Sequence, residues 1–109
     1  MDRSGDDAGQ AGSMQGMTVF SIDCGTISDQ REFWRAYLQV TTPEGASVFG
    51  RNMHAFWDAL TGGGPGWPGE CVIRLRGSSA LEKLDDGRFM RQLRQIAIEC
   101  APSVIIRFE

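Results

Sequence analysis

The residues best suited to chemistry lie together in the segment FGRNMHAFWDAL, Phe49 to Leu60. His54 and Asp58 stand four positions apart in it, so a helix would bring the imidazole and the carboxylate within hydrogen-bonding reach. A catalytic pair of this kind also needs a nucleophile or a third group that orients the base. The sequence has one histidine and neither a G-x-S-x-G nor an H-E-x-x-H motif, so we predict no catalytic residue and no enzyme. A solvated surface pair and a protein-binding face are the two other readings.

The three cysteines are the remaining candidates for chemistry. Cys24, Cys71 and Cys100 are odd in number and far apart, and no C-x-x-C motif occurs. This pattern indicates neither a disulfide framework nor a zinc site. We therefore expect reduced, mostly buried thiols, with no metal ion and no cofactor. An enzyme built on His54 and a cysteine stays open as a third possibility, and thiol reactivity near neutral pH would reveal it.

A helical wheel divides the segment into two sides. The apolar side, which we predict to be core, carries Met53, Phe56, Trp57 and Leu60. The opposite side carries Arg51, His54 and Asp58, with the small Ala55 and Ala59 beside them. Asn52 is predicted to cap the helix, and Gly50 before it permits a backbone turn. The small side chains would let a partner approach the helix closely, which favours a binding face.

Three other parts of the chain are needed to position this helix. The β-branched and aromatic segments TVFSIDC, CVIRLRG and SVIIRFE predict three strands. Ser28 and Asp29, with Glu32 three residues further on, predict the start of a first helix whose Trp34 and Tyr37 face the core. After the motif helix, the glycine- and proline-rich TGGGPGWPGE, residues 61–70, predicts a loop. Its Trp67 either covers the edge of the core or contacts a partner at the rim of an interface.

The second half of the chain predicts further helices. A short helix could span SALEKL, residues 79–84, and a longer one carries apolar residues at helical spacing: Phe89, Leu93, Ile96, Ala97 and Cys100. Strands separated by helices imply parallel pairing, because parallel neighbours need a long connection. The sequence therefore predicts an α/β fold, a small three-stranded parallel sheet packed by three to four helices.

Composition limits the partners. The 109 residues suffice for one domain, and residues 1–16 lack the apolar side chains needed to fold, so we predict a disordered tail followed by a domain at 17–109. The net charge of -3 without a basic stripe disfavours nucleic acid and suits a basic protein partner. No apolar segment approaches the roughly 20 residues of a membrane span, and no signal peptide is recognisable. We expect a cytoplasmic protein.

The pattern FGxNxxAxWDAL followed by TG resembles the barstar family of intracellular ribonuclease inhibitors. The likeness extends from about Thr18 to Phe108, and it implies the family's fold, a three-stranded parallel sheet packed by helices. It also implies a mechanism without catalysis, in which the helix and its preceding loop occupy the active site of a secreted ribonuclease. Carboxylates then take the place of the substrate phosphate. The implied role is that of an immunity protein or antitoxin, monomeric before it binds.

The resemblance assigns roles to particular residues. Asp58 matches the family's principal acid, and Trp57 matches the tryptophan before it. Three positions depart from the pattern: Val48 replaces an aromatic residue, Arg51 replaces what is often an acid, and His54 replaces a second helix acid. A further family acid falls at either Asp85 or Asp86. The predicted partner-binding set is Val48, Phe49, Gly50, Arg51, Asn52, His54, Ala55, Trp57, Asp58, Gly62, Trp67, Asp85 and Asp86. Because the departures reduce negative charge, the alternative is a barstar-like module for another toxin or a non-nuclease partner.

Overall fold

A single parallel sheet forms the centre of the computed structural model, which describes residues 17–109. Its strands are β1 (Thr18–Asp23), β2 (Cys71–Arg76) and β3 (Val104–Phe108). β2 lies in the middle, and its Cys71 is aligned with Thr18 on one side and Val104 on the other. The predicted three-stranded parallel sheet is thus confirmed. The predicted disordered tail, residues 1–16, lies outside the described residues.

Three α-helices connect the strands: α1 (Gln30–Thr41), α2 (Met53–Gly62) and α3 (Arg88–Cys100). A short 3-10 turn, Ala46–Val48, precedes α2, and a second 3-10 segment, Ser78–Gly87, precedes α3. The predicted short helix at residues 79–84 lies in this second segment. It does not continue into α3, because Asp85 and Asp86 adopt left-handed backbone conformations with φ of 54° and 55°. The helix count agrees with the predicted three to four.

The start of α1 follows the predicted capping pattern. The Asp29 side chain accepts a hydrogen bond from the Glu32 backbone N–H at 2.9 Å, and the Glu32 carboxylate accepts one from the Ser28 N–H at 2.7 Å. The first bond satisfies a backbone donor that the helix leaves free in its first turn, and the second holds the residue before the cap. The helix then buries Trp34 and Tyr37, as predicted.

An aromatic cluster fixes α2 against the rest of the domain. Its members come from α1, α2, α3 and the turn before α2: Phe33, Trp34, Tyr37, Phe49, Phe56 and Phe89. The Phe56 ring lies edge-on to Tyr37 with centroids 5.0 Å apart, and Phe33 lies edge-on to Phe89 at 5.2 Å. Such pairs contribute roughly 0.5–1.5 kcal/mol beyond the burial of their area. Sheet residues such as Ile22 and Ile73 belong to the same buried core.

The glycine-rich loop after α2 is attached to this cluster. The Tyr37 hydroxyl donates a hydrogen bond to the Gly66 carbonyl at 2.7 Å. Gly66 has a φ of +94°, and a Cβ there would lie 2.6 Å from the Phe49 ring, so only glycine fits. The loop that follows α2 is therefore held against α1 and the turn before α2.

Candidate functional site

The N-terminus of α2 has the predicted cap. The Asn52 Oδ1 accepts a hydrogen bond from the Ala55 backbone N–H at 2.8 Å, and the Asn52 amide donates to the Gly50 carbonyl at 3.1 Å. A Cβ at Gly50 would approach the Ala55 Cβ to 3.0 Å. Glycine at this position therefore lets the incoming chain pass close to the first turn of the helix.

Arg51 does not lie on the helix, so the wheel assigned it wrongly. It precedes the cap and adopts a left-handed conformation with a φ of 53°, which non-glycine residues rarely do. The cap residue must be extended, and the helical angle used in the wheel does not apply before it. The exposed side chain lines a cavity with Arg31 and Arg35 of α1 rather than the face that carries His54 and Asp58.

Val48 and Phe49 have opposite environments. Val48 ends the 3-10 turn and is 69% exposed, so a partner could contact it directly. Phe49 is only 5% exposed and packs against Trp34 and Tyr37, with ring centroids 6.0 and 5.9 Å away. Phe49 therefore positions the turn and offers little of its own surface to a partner.

His54 pairs with Trp57 rather than with Asp58. Their rings are stacked, with centroids 5.9 Å apart and an interplanar angle of 28°. Within residues 17–109, no hydrogen bond or ion pair joins His54 to Asp58, although the helical spacing permits one. Both side chains are exposed, so their polar atoms face solvent or a partner.

Trp57 lies at the edge of the core and not within it. Its side chain is 39% exposed, and its indole N–H donates to the Glu99 carboxylate on α3. The Gln95 amide donates to the same carboxylate at 2.8 Å. These two hydrogen bonds, from Gln95 and from Trp57, lower the pKa of Glu99. Ala59 of the same helix is fully buried. The prediction that its small side chain would let a partner approach the helix was therefore wrong.

A shallow groove runs between α2 and α3 beside this network. It has a volume of about 250 Å³ and is lined by Met53, His54, Trp57, Gln92, Gln95 and Ile96. Sequence reasoning missed Gln95 and Glu99 as neighbours of the motif. No local signal could have identified them, because Glu99 is 42 residues from Trp57 along the chain.

The Asp58 carboxylate lies over the start of the glycine-rich loop. A Cβ on Gly64 would be 2.7 Å from its Oδ2, and a Cβ on Gly62 would be 3.5 Å from its Oδ1. No donor from the described part of the chain hydrogen-bonds to this carboxylate, which is exposed. Gly64 thus leaves room for the carboxylate beside the loop, and this charged group has no partner among residues 17–109.

Trp67 is half-buried and packs against the edge of the core. It lines one shallow groove with Thr61, Gly63 and Glu99, and a second with Pro43 and Glu44. The ring therefore covers the core while one edge stays accessible beside the end of α2. Both predicted roles for Trp67 are compatible with this position.

The two candidate acids before α3 differ in their pairing. Asp85 accepts two hydrogen bonds from the Arg88 guanidinium, at 2.8 and 2.9 Å, and the pair lowers the pKa of the Asp85 carboxyl. The exposed Asp86 carboxylate has no such partner among residues 17–109. Asp86 is therefore the acid that a partner could engage without first displacing an arginine.

The three cysteines are buried free thiols, as predicted. Burial raises the pKa of Cys24, Cys71 and Cys100 from the ordinary 9.0 to about 11. A thiol of this kind is protonated near neutral pH and is a poor nucleophile. Within residues 17–109 no group of three or more histidine, cysteine or acidic side chains could hold a metal ion, and no helix is long and apolar enough to cross a membrane.

The three-stranded parallel sheet and the helices packed on it define a small α/β domain with an exposed face on α2. The model of the family described as Barstar (barnase inhibitor) matches residues 17–103. The chain belongs to the barstar family, as the sequence motifs indicated. No curated protein matches it. The family is one of inhibitors and not of enzymes, and its members bind ribonucleases.

Proposed function

We propose that this protein inhibits a ribonuclease by covering the active site with α2 and the turn before it. The main observation behind this proposal is the Asp58 carboxylate, which is exposed, lies beside Gly62 and Gly64, and accepts no hydrogen bond from residues 17–109. A ribonuclease active site binds phosphate through basic side chains, so a carboxylate presented by a helix can take the phosphate's place. The proposed setting is the cytoplasm, with an immunity or antitoxin role and a monomeric free state.

Other parts of the surface would complete the contact. Trp57 offers an exposed ring edge whose position is held by its hydrogen bond to Glu99, so little conformational freedom would be lost on binding. Val48 and Trp67 would contribute apolar contacts at the two ends of α2. Asp86 would supply a second acid.

The test is binding to a panel of basic microbial ribonucleases, with Asp58→Ala compared with the wild-type chain. Truncating one member of a buried, hydrogen-bonded charge pair costs about 2–5 kcal/mol. We expect the dissociation constant to rise by more than about 30-fold, which corresponds to about 2 kcal/mol. Asp23→Ala is the control, because Asp23 is an exposed acid on β1 that lies on the opposite face of the strand from the buried Ile22 and bonds only to the nearby Gly25 N–H among residues 17–109. Equal affinity of the Asp58 variant and the wild type would remove Asp58 from the interface.

One observation favours a second candidate function, a barstar-like module that binds another toxin or a non-nuclease protein. His54 stands where the family pattern has an acid, and Arg51 adds positive charge close by, so the face is less negative than a phosphate mimic would be. Identification of the partner by pull-down from the native host would separate the two. A captured protein without nuclease activity, whose binding depends on Asp58, would support the second candidate over the first.

A further inference from the structure

A basic cavity lies beside the proposed binding face, between α1 and the turn before α2. Its volume is about 640 Å³, and it is lined by Arg31, Trp34, Arg35, Leu38, Gln39 and Arg51. Arg31, Arg35 and Gln39 are spaced four residues apart and so project from one side of α1. Arg51 lines the cavity from the segment that leads into α2. Among residues 17–109, three arginines and no acid therefore line the cavity.

The positive charge of this cavity is not neutralised within the described chain. Elsewhere arginines do find partners: Arg74 binds Glu109 at 2.7 Å, and Arg88 binds Asp85 at 2.8 Å. Over residues 17–109, no hydrogen bond or ion pair connects the three cavity arginines to a carboxylate. The three arginines are exposed, so their guanidinium groups are accessible to an anionic group of a partner.

The backbone supports a role for Arg51 in this cavity. Its left-handed conformation, with a φ of 53°, is costly for a side chain with a Cβ, by about 1 kcal/mol or more. Strain of this kind is often found at functional positions, where the surrounding structure holds it. Here the conformation directs the side chain to the α1 cavity, while the next residue, Asn52, begins α2.

We infer that this cavity binds carboxylates on an acidic surface of the same protein that α2 contacts. The identity of that partner rests on the proposed function. Arginine forks bind carboxylates in a bidentate manner, and Arg51 makes the cavity continuous with the segment that leads into α2. RNA is a poorer occupant, because Trp34, the one aromatic residue that residues 17–109 contribute to the lining, is 2% exposed and cannot stack on a base. The net charge of -3 also disfavours a polyanion.

The inference gives the partner a two-part charge pattern. A basic cleft would face Asp58, and an acidic patch beside that cleft would face Arg31, Arg35 and Arg51. Nucleases without the acidic patch would be bound less well, so the cavity would determine which nuclease is recognised.

The experiment measures the affinity of the wild-type chain, Arg35→Glu and Arg107→Glu for the protein that the wild type binds, taken from the ribonuclease panel or the host pull-down. Arg107→Glu is the matched control, since it makes the same charge change at an exposed strand residue aligned with Arg74. Arg35→Glu should fold, because the new acid can pair with Arg31 one turn away. We expect the dissociation constant of Arg35→Glu to rise at least about tenfold and that of Arg107→Glu to change less than about twofold. A fluorescein-labelled oligouridylate is titrated in parallel.

The outcomes distinguish this inference from the proposed function. If Arg35→Glu binds as well as the wild type while Asp58→Ala binds weakly, the carboxylate site is refuted and the inhibitor proposal stands. If Arg35→Glu binds weakly and Asp58→Ala binds normally, the cavity is supported and the Asp58 anchor fails. If the wild type binds the oligouridylate and Arg35→Glu does not, the cavity binds nucleic-acid phosphate, and the proposal of protein carboxylates is refuted. If neither the panel nor the host supplies a partner, both proposals fail.

Discussion

His54 occupies the position where restoration of an acid should strengthen binding to a basic ribonuclease. The side chain is exposed on the first turn of α2, one helical turn before Asp58, and it contacts Trp57 through ring stacking. The perturbation is His54→Asp, with His54→Asn as the control that shortens the side chain and adds no charge. Both variants remove the ring stacking, so the comparison between them isolates the new carboxylate.

The magnitude follows from the charges. A carboxylate about 4 Å from an arginine or lysine of the partner gains about 4 kcal/mol at an effective dielectric constant of about 20. The conformational entropy lost when the two side chains are ordered costs about 0.5–1.5 kcal/mol for each of them. The net gain should be about 1–3 kcal/mol, which is about 5–150-fold in the dissociation constant. In the free protein, repulsion from Asp58 costs about 0.2–0.5 kcal/mol, and the favourable position near the helix N-terminus offsets it.

The assay is isothermal titration of each variant with the panel ribonuclease that the wild type binds best, together with inhibition of RNA cleavage. His54→Asp should bind more tightly than His54→Asn, and the difference should shrink as salt is raised, since salt screens exposed charges. The free energy of unfolding of the two variants should agree within about 1 kcal/mol. The reasoning is refuted if His54→Asp binds no more tightly than His54→Asn, because the face would then not meet positive charge at this position.

Three further predictions concern Gly64 and the buried cysteines. Gly64→Ala should weaken binding by about tenfold or more with little change in the thermal midpoint. The reason is that the new Cβ would lie 2.7 Å from the Asp58 Oδ2, so the carboxylate must rotate away. In the Asp58→Ala background the same change should have no further effect on binding, and an additive loss of affinity would contradict this explanation. The three cysteines should not react with a thiol reagent at pH 7–8 until the protein unfolds, because burial raises their pKa values to about 11. The pKa of each thiol is higher in the folded protein than the 9.0 of the unfolded chain, so the stability the thiols contribute is complete below about pH 9 and is lost as the pH rises toward 11. Denaturant midpoints that stay constant from pH 8 to 11 would contradict these raised pKa values. Rapid labelling of the native protein would instead support an enzyme that uses a cysteine.

The parts of the structure that the sequence predicted are those with local or periodic signals. The strands follow from β-branched segments, and the start of α1 follows from Asp29 and Glu32, whose hydrogen bonds are formed within one turn. Parallel pairing follows from the helices between the strands. The cap of α2 was also predicted, because the Asn52 side chain accepts a hydrogen bond from a backbone N–H only three residues away.

The parts that it missed depend on contacts between distant segments. The Trp57 contact with Glu99 requires α2 and α3 to pack side by side, and the arginine cavity requires α1 to meet the turn before α2. The helical wheel misplaced Arg51, because a wheel assumes helical angles at a residue that lies before the cap. In the same way, the left-handed Asp85 and Asp86 interrupt a segment whose composition alone permits a helix.

The charges around α2 are arranged against the stability of the helix. Acids near an N-terminus and bases near a C-terminus stabilise a helix by about 0.3–1 kcal/mol each. The first turn of α2 contains no acid and the last turn contains no base. Arg51 instead adds positive charge just before the N-terminus, and Asp58 places negative charge toward the C-terminal half. Folding alone gives no reason for this order, whereas a partner with an acidic patch next to a basic cleft does. The opposite charge order, made by Arg51→Glu with Asp58→Lys, should therefore raise the thermal midpoint while abolishing binding.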